Sequence, residues 1–357
     1  MEEKTRGNKF SKVIILLLIG LVIFFSNKEN QDKFVNYINS LSIGKKSLHV
    51  DKSVFIDNQI EKVTYGNNKI LVWGNNKLSL YDLNGSKEWE KEFNLNSPDV
   101  LFGNDRVYVY DRISGDIYCL NSSGETLTRI QIGTEIKSVT ENGERLLVHT
   151  VEQNNEGLKI LDSNGNIVDD RSLENRILTY CIEDDNRKYA ICTLNLADQS
   201  VKTEVQIYEI KKELVSALSF EDEISLYANF LRKDRLLVLT DSNLYFIENG
   251  SVLWKREMDN VKDISVDENS IYILNSNSYK AISKDGDVRH EYSFTQDYDS
   301  ITTIKNYVVL WSSDGLVGLR DGKEMFKYQP KDEIYDVIEG DQYLLIIYQN
   351  RIDLLSY

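Results

Sequence analysis

Acidic side chains recur in the polar segments that separate one group of apolar stretches from the next. Eight of these residues are Asp99, Glu135, Glu174, Asp222, Asp259, Asp297, Asp299 and Asp332. Carboxylate oxygens are the ligands that calcium prefers, and a concentration of them also attracts basic or amine-bearing partners. Acidic residues are equally at home in turns for solubility and local hydrogen bonds alone. The sequence therefore predicts an acidic binding face, with ordinary solvated turns as the alternative.

Histidine and cysteine, which carry much metal and nucleophilic chemistry, are sparse. The three histidines, His49, His149 and His290, lie far apart in the sequence. A zinc or iron site is therefore not expected. The chain contains no Ser-His-Asp signature, no P-loop and no His-Glu-x-x-His motif. The sequence predicts no enzyme, no catalytic residue and no cofactor, and it leaves calcium at the acidic face as the one open metal.

Two of the three cysteines fall on consecutive predicted strands. Cys181 and Cys192 flank a short polar turn, while Cys119 lies elsewhere. A hairpin brings the first two nearly opposite each other, but cross-strand disulfides depend on register and are usually strained. Two buried free thiols are the favoured interpretation, and a disulfide between Cys181 and Cys192 is the alternative.

A sequence repeat predicts the strands that would position the acidic residues. A strand followed by a turn and glycine reads LSLYDLNG at 78–85, IYCLNSSG at 117–124 and LKILDSNG at 158–165, and later copies end at Gly250, Gly286 and Gly322. A degenerate copy, VQIYEIKK, ends at Lys212. The seven copies are spaced 39, 41, 47, 38, 36 and 36 residues apart. Four strands in a period of about forty residues are typical of a β-propeller blade.

The blade count follows from the ends of the repeat. Seven complete blades lie between about residue 60 and residue 328, and an eighth begins at Ile334. The chain ends one strand short, and residues 48–55 offer the missing strand. Closing the ring in this way removes an exposed sheet edge. The predicted fold class is an all-β, eight-bladed β-propeller after an N-terminal transmembrane helix, with seven blades as the fallback.

The junction between third and fourth strands resembles that of the pyrroloquinoline-quinone-type (quinoprotein-like) repeat propellers. That family places a tryptophan four residues after the glycine, as Gly85–Trp89 and Gly250–Trp254 do here, with Phe326 after Gly322. The resemblance implies that Trp89, Trp254 and Phe326 dock one blade on the next. Thr128, Asp169, Ser216 and His290 occupy the same position in other blades.

The same resemblance bears on function. The family includes quinone-dependent dehydrogenases, which need a calcium–carboxylate site and commonly an adjacent cysteine pair, and it includes cofactor-free scaffolds. This chain has no adjacent cysteines. Its combination of apolar leader and acidic propeller is most similar to uncharacterised membrane-anchored propellers of Gram-positive bacteria.

The N-terminal region predicts a membrane anchor. Residues 13–25 form an uninterrupted apolar run preceded by four basic residues, and no small-x-small cleavage site follows it. We expect a cytoplasmic tail at 1–12, a single-pass signal anchor at 13–26, an amphipathic stalk at 27–46 and the propeller at 47–357 outside the cytoplasm. A cleaved signal peptide is the alternative.

Charge separates these parts. Residues 1–46 carry a net charge of +4, and the remainder carries −19. Such an acidic domain repels phosphate backbones, so we expect no nucleic acid partner. The sequence predicts an extracytoplasmic, cell-membrane scaffold that binds a protein or an envelope component, in a setting such as envelope assembly. The alternatives are a ligand- or cation-sensing propeller and, less favoured, a quinone-dependent oxidoreductase.

Overall fold

Thirty-two β-strands build the part of the protein that the structure describes. The structure is a computed structural model, and it describes residues 47–196, 200–340 and 342–356. The strands form eight separate four-stranded antiparallel sheets, and seven of these sheets each take four consecutive strands. The eight-bladed count predicted from the repeat is confirmed, and the seven-bladed fallback is wrong.

Each of the first four blades runs from an inner first strand to an outer fourth strand. Blade 1 comprises β2 (Lys62–Gly66), β3 (Lys69–Gly74), β4 (Lys77–Asp82) and β5 (Lys87–Glu92). Blade 2 comprises β6 (Pro98–Phe102), β7 (Val107–Asp111), β8 (Asp116–Leu120) and β9 (Thr126–Gln131). Blade 3 comprises β10 (Glu135–Asn142), β11 (Arg145–Glu152), β12 (Asn155–Leu161) and β13 (Ile167–Leu173). Blade 4 comprises β14 (Arg176–Ile182), β15 (Lys188–Asn195), β16 (Lys202–Glu209) and β17 (Leu214–Glu221).

The remaining blades repeat the pattern, and the last one joins both ends of the propeller sequence. Blade 5 comprises β18 (Ser225–Arg232), β19 (Arg235–Thr240), β20 (Asn243–Glu248) and β21 (Ser251–Glu257). Blade 6 comprises β22 (Val261–Val266), β23 (Ser270–Asn275), β24 (Ser278–Ser283) and β25 (Val288–Ser293). Blade 7 comprises β26 (Ser300–Ile304), β27 (Tyr307–Ser312), β28 (Gly315–Arg320) and β29 (Lys323–Tyr328). Blade 8 comprises β30 (Asp336–Glu339), β31 (Leu344–Ile347), β32 (Arg351–Ser356) and β1 (His49–Phe55).

Strand β1 closes the ring. It pairs antiparallel with β32, with Ser53 opposite Asp353, and it occupies the outer position of blade 8. The Ser53 hydroxyl donates a 2.7 Å hydrogen bond to Asp353, which is buried and also accepts from Arg351 Nε at 3.0 Å. Val54 in β1 is fully buried. The blade is thus held by polar contacts and by core packing.

The core lies between neighbouring blades. The second strands supply most of it, because both of their faces meet other sheets. All five residues of β7 are buried, as are five of the six residues of β3 and of β19. Each hydrophobic cluster draws on two adjacent blades, as where blades 4 and 5 share Cys192, Phe220 and Phe230.

Two tryptophans dock one blade on the glycine turn of the next. A Cβ atom at Gly124 would lie 3.0 Å from the Trp89 ring, and one at Gly286 would lie 3.1 Å from the Trp254 ring. Both glycines have positive φ, of 79° and 89° respectively. Position 124 therefore favours glycine for two reasons: a side chain would be strained at this positive φ, and its Cβ atom would crowd the Trp89 ring. Phe326 instead packs on Gly318 of its own blade, inside the cluster shared by blades 7 and 8.

At other blade junctions, polar or aliphatic residues make the contact with the next blade that tryptophan makes at Gly124 and Gly286. Asp169 accepts the Lys211 N–H at 2.9 Å, and the Ser216 hydroxyl donates to the Gly250 carbonyl at 3.1 Å. Ile130, not Thr128, crowds the next glycine, Gly165. Blade-to-blade docking at this position thus does not require an aromatic ring.

The three cysteines are free thiols. Cys181 lies opposite Ala190, and Cys192 lies opposite Thr179, so the two cysteines are not a directly paired rung. An irregularity between Ile177 and Thr179 helps to set this register. The favoured prediction of free thiols is confirmed, and the disulfide alternative is wrong.

Candidate binding face

The meander gives the propeller two unlike faces. Fourth-to-first connections and second-to-third turns emerge on one face, which we call the upper face; first-to-second and third-to-fourth turns emerge on the lower face. The eight predicted acidic residues all belong to the upper face, at or beside the starts of first strands. They do not, however, share one environment.

Asp99 is buried and bound on several sides. Its carboxylate accepts from Lys62 and from Arg112, each at 2.5 Å, from the Tyr110 hydroxyl at 3.0 Å, and from the Val100 N–H at 2.8 Å. Burial alone would raise the pKa of Asp99, but the hydrogen bonds from the two cations outweigh it and hold the pKa at about 2. This residue joins blades 1 and 2 and is not offered to a ligand.

Three further predicted residues are exposed but already paired. Asp297 and Asp299 come together on Lys262, at 2.5 Å and 3.3 Å from its Nζ. Asp332 lies 2.8 Å from Arg351 Nη1. These contacts bridge neighbouring segments of the upper face and reduce its negative charge locally.

Four residues remain as free surface carboxylates. Glu135, Glu174, Asp222 and Asp259 are exposed, and none of them forms an ion pair among the described residues. They belong to the connections that lead into blades 3, 4, 5 and 6. We call these four the upper-face acids. The predicted acidic face is therefore narrower than the sequence suggested and is confined to one side of the ring.

Exposed apolar side chains occupy the same face. Ile113, Leu196, Ile224, Leu226 and Tyr335 are exposed, with Leu226 54% and Tyr335 45% accessible. We call them the upper-face apolar residues. The other exposed large apolar residues of the described chain all lie on outer strands: Val50, Phe55, Leu127, Ile167, Leu214, Val215, Val252, Leu253 and Val288. Four of these, Ile167, Leu214, Val252 and Val288, lie at the lower ends of their strands, on the outer rim of the ring. The lower-face turns themselves, within the described residues, expose no large apolar side chain.

A β-bulge places Leu226 at this surface. The register of β18 against β19 shifts between Ser225 and Tyr227, so Leu226 is the extra residue. Similar irregularities occur at the starts of the first strands of blades 3, 4 and 6. Bulges re-aim side chains next to functional surfaces. These are the four blades that the upper-face acids precede.

Two buried carboxylates beneath the upper face were not predicted. Glu156 accepts from His149 Nε2 at 2.9 Å, from the Ile177 N–H at 2.7 Å, and from Lys137. Burial lowers the pKa of His149, although the hydrogen bond that its ring donates to Glu156 acts in the opposite direction. Burial acts to raise the pKa of Glu156, but its hydrogen bonds, Lys137 first, bring the pKa below its ordinary value. The seven-residue spacing of His149 and Glu156 across one turn could have indicated this contact.

Glu223 is the second such group. It accepts from the Thr240 hydroxyl at 2.5 Å, from the Asn243 amide at 2.8 Å and from the Tyr245 hydroxyl at 2.6 Å. Its neighbour Asp222 stays exposed with φ of 56°. Buried polar groups of this kind fix the loops above them. Buried carboxylates that accept several hydrogen bonds each thus support the upper face.

The described residues contain no group of three or more histidine, cysteine or acidic side chains that could hold a metal ion. Calcium binding at the acidic face stays a prediction. On the lower face, a cavity of about 420 Å³ between blades 2 and 3 is lined by residues such as Arg106, Tyr108 and Cys119. Burial raises the pKa of both Cys119 and Tyr108, so neither is activated as a nucleophile.

The predicted anchor at 13–26 and stalk at 27–46 lie outside the described residues. Across the residues that are described, the structure has no helix long and apolar enough to cross a membrane.

Fold and site together define a closed eight-bladed propeller without a recognisable catalytic centre in its described residues. The chain belongs to the family described as a family of unknown function (DUF5711), whose model matches residues 44–356. A search of curated proteins finds no match.

Solved propellers share the fold at low sequence identity. BamB from Moraxella catarrhalis has a TM-score of 0.61 and 12% identity, over 87% of this chain and all of that one. Sqt1 from Saccharomyces cerevisiae has a TM-score of 0.64 and 9% identity, over 88% and 99%. The Pan2 WD40 domain from Neurospora crassa has a TM-score of 0.52 and 8% identity, over 88% and 96%. At these identities the likeness establishes the β-propeller and nothing about activity.

Proposed function

We propose that the protein is a non-enzymatic scaffold that binds a protein partner through the upper face of its propeller. One observation carries the proposal: exposed apolar side chains and unpaired carboxylates coincide on the upper face, whereas the lower-face turns that are described expose no large apolar residue. Exposed apolar groups rimmed by polar ones are typical of protein-binding surfaces.

The chemistry of the face indicates the partner. Leu226, Ile224 and Tyr335 supply apolar contact area near the inner ends of blades 5 and 8. The upper-face acids supply negative charge, which draws lysine- or arginine-bearing surfaces and repels nucleic acid. We propose a partner with apolar anchors and a basic rim, either a protein or another component of the cell envelope.

We place the propeller outside the cytoplasm on a single membrane anchor. The apolar run at 13–25, the four basic residues before it and the absence of a cleavage site support this arrangement. A rigid ring on a stalk suits recruitment of envelope components, and envelope assembly is the setting we propose. The likeness to quinoprotein-type repeats enters here as support for architecture alone.

Charge reversal of the upper-face acids tests the proposal. The full chain with Glu135→Lys, Glu174→Lys, Asp222→Lys and Asp259→Lys is compared with wild type for partner recovery after crosslinking in the producing cell. We expect partner recovery to fall at least about tenfold, because charges at the rim of an interface set the association rate and four are reversed together.

Calcium titration of both proteins, read by thermal shift, tests the alternative. A shift of the melting temperature in wild type alone would favour the cation-sensing function.

The control reverses the same charge on the other face. Asp105→Lys, Glu144→Lys, Asp285→Lys and Glu268→Lys change four exposed acidic residues in lower-face turns. This variant should recover the partner like wild type. Equal loss in both variants would show a general charge effect and would contradict an upper-face binding site.

A further inference from the structure

The lower-face cavity between blades 2 and 3 lies where a docking tryptophan is missing. Its volume is about 420 Å³, and it is lined by Thr128 and Cys119, which oppose each other in the third and fourth strands of blade 2. In blades 1 and 5 the same position holds a much larger pair: Trp89 opposite Leu80, and Trp254 opposite Phe246. The small pair in blade 2 therefore leaves open the space that an indole ring fills at the other two junctions.

The surroundings of the cavity match those of the docked tryptophans. Trp89 packs on the third-to-fourth turn of the next blade, at Gly124, and the corresponding turn of blade 3 forms a wall of the cavity through Asp162 and Ser163. In blade 4, where Ser216 takes the tryptophan position, the corresponding cavity measures about 110 Å³. The larger cavity between blades 2 and 3 falls within the range of about 300–1,000 Å³ that is typical of small-molecule sites.

The strands give the cavity a largely apolar interior. Ile130 and Leu146 are buried and line it beside Thr128. Glu141 also lines it from a strand, but this carboxylate is already bound, because it accepts from the Tyr108 hydroxyl at 2.8 Å and from a backbone N–H at 2.7 Å. The described strands thus offer a ligand apolar contact and no unbound charge.

Arg106 is a half-buried cation without an acidic partner. It lies at the mouth of the cavity, in the turn before β7. Its Nη1 donates to the Ser163 carbonyl at 2.5 Å and lies 4.0 Å from Cys119 Sγ, and the ion pairs that arginines form among the described residues all involve other arginines. A guanidinium carries several N–H donors in a planar fork, so Arg106 can still bind a carboxylate.

Two acidic residues at the same mouth are also unpaired. Asp105 precedes Arg106 in its turn, and Glu144 lies in the turn between β10 and β11; both are exposed and line the cavity. Neither forms an ion pair among the described residues. Their charge opposes a simple anion and favours a ligand that carries an ammonium group next to its carboxylate.

We propose that this cavity binds a free α-amino acid with a large apolar side chain, of which tryptophan fits best. The carboxylate binds Arg106, the ammonium group lies toward Asp105 and Glu144, and the side chain enters the space beside Thr128 and Ile130. The ligand then supplies the ring that the chain itself supplies in blades 1 and 5. The site lies on the lower face, so it is independent of the protein-binding site that we place on the upper face.

Isothermal titration calorimetry of the purified full chain with L-tryptophan tests the site. We expect saturable binding of a single L-tryptophan per chain. Tryptophan amide lacks the carboxylate and N-acetyl-tryptophan lacks the ammonium group, so each should bind at least about tenfold more weakly. L-Alanine keeps both charges but lacks the ring, and it should be weakened at least as much. No binding of L-tryptophan, or equal binding of any of the three analogues, would overturn the proposal.

Two variants test the position of the ligand, and urea unfolding shows that each is folded. Arg106→Gln removes the carboxylate partner and should weaken L-tryptophan binding at least about tenfold, whereas Arg232→Gln, at an exposed lower-face arginine outside the cavity, should leave it unchanged. Thr128→Trp fills the cavity with the residue of blades 1 and 5 and should abolish binding, whereas Thr128→Ser should bind like wild type. Binding that persists unchanged in either folded variant, Arg106→Gln or Thr128→Trp, would place the ligand elsewhere and contradict this site.

Discussion

Carboxylates in this protein fall into two groups, those that stabilise the fold and those that are exposed and unpaired, and the neighbouring residues determine the group. Asp99, Glu156 and Glu223 are buried and accept several hydrogen bonds each, so they hold blades and loops together. Glu135 and Asp259 are exposed and unpaired within the described chain, so they are available to a partner. Residue type and spacing could predict the acidic connections, but they could not separate these roles. The separation depends on cations from adjacent strands, such as Arg112 beside Asp99.

The buried His149–Glu156 pair predicts a pH dependence of stability. Because the pKa of His149 is below its ordinary value in the folded protein, the unfolded chain binds more protons there. Its contribution to the free energy of unfolding is complete above about pH 6.5 and is lost as pH falls below that value. Glu156, whose pKa is also lowered, adds a further loss below about pH 4.5.

The measurement is urea unfolding of wild type and His149→Gln between about pH 7.5 and 5.5. The amide of glutamine can still donate to Glu156 but does not titrate, so the variant should lose less stability on acidification. An identical pH slope in the two proteins would contradict the assignment.

Docking of Trp89 on Gly124 predicts that adding a single methyl group at position 124 lowers the free energy of unfolding. Gly124→Ala meets the tryptophan ring at 3.0 Å and keeps an unfavourable positive φ, so we expect a loss of about 1–3 kcal/mol. Gly133→Ala is the matched control, since Gly133 has a similar φ of 78° and a Cβ there meets nothing within 4 Å. Urea midpoints of the two variants decide it, and a similar effect from both would argue against the docking contact.

At the scale of the elements, the sequence period carried most of the information. A glycine turn near every fortieth residue predicted the blades, and the missing last strand pointed to residues 48–55 as its replacement. The bulges that expose Leu226 and set the register near Cys181 were beyond prediction, because they arise from pairing between strands and leave no mark in composition. Thr128 illustrates the same limit, since Ile130 makes the contact expected of it.

Closure of the ring through β1 predicts that Asp353, which is buried, contributes more to the free energy of unfolding than Asp332, which is exposed. Asp353→Ala leaves the Ser53 hydroxyl and Arg351 Nε without their buried acceptor, so we expect a loss of about 1–3 kcal/mol. Asp332→Ala removes a surface ion pair from the same arginine and should cost less than about 1 kcal/mol. Urea unfolding gives the energies, and hydrogen exchange of β1 should rise in the first variant alone. Equal effects would mean that this contact does not hold the closing strand.

At the scale of the whole molecule, the described residues form a closed ring of blades whose two faces differ. Tight lower-face turns complete the blades, and the upper face combines exposed apolar groups with unpaired acids above buried, hydrogen-bonded carboxylates. Such an arrangement displays a surface to a partner. The sequence indicated the acidic character of this face through its spacing. The apolar half of the surface could not be predicted, because exposure of Leu226 or Tyr335 follows from packing around them.

Site-specific photocrosslinking tests the binding face most directly. A photoreactive phenylalanine analogue replaces Leu226 in the full chain in the producing cell, and Glu144 in a lower-face turn serves as the control position. The account predicts a discrete adduct of the same partner from position 226 and none from position 144, and the adduct should disappear when the four upper-face acids are changed to lysine. Adducts from position 144 with equal yield, or no adduct from position 226 while the chain remains folded, would contradict the proposal that this face binds a partner.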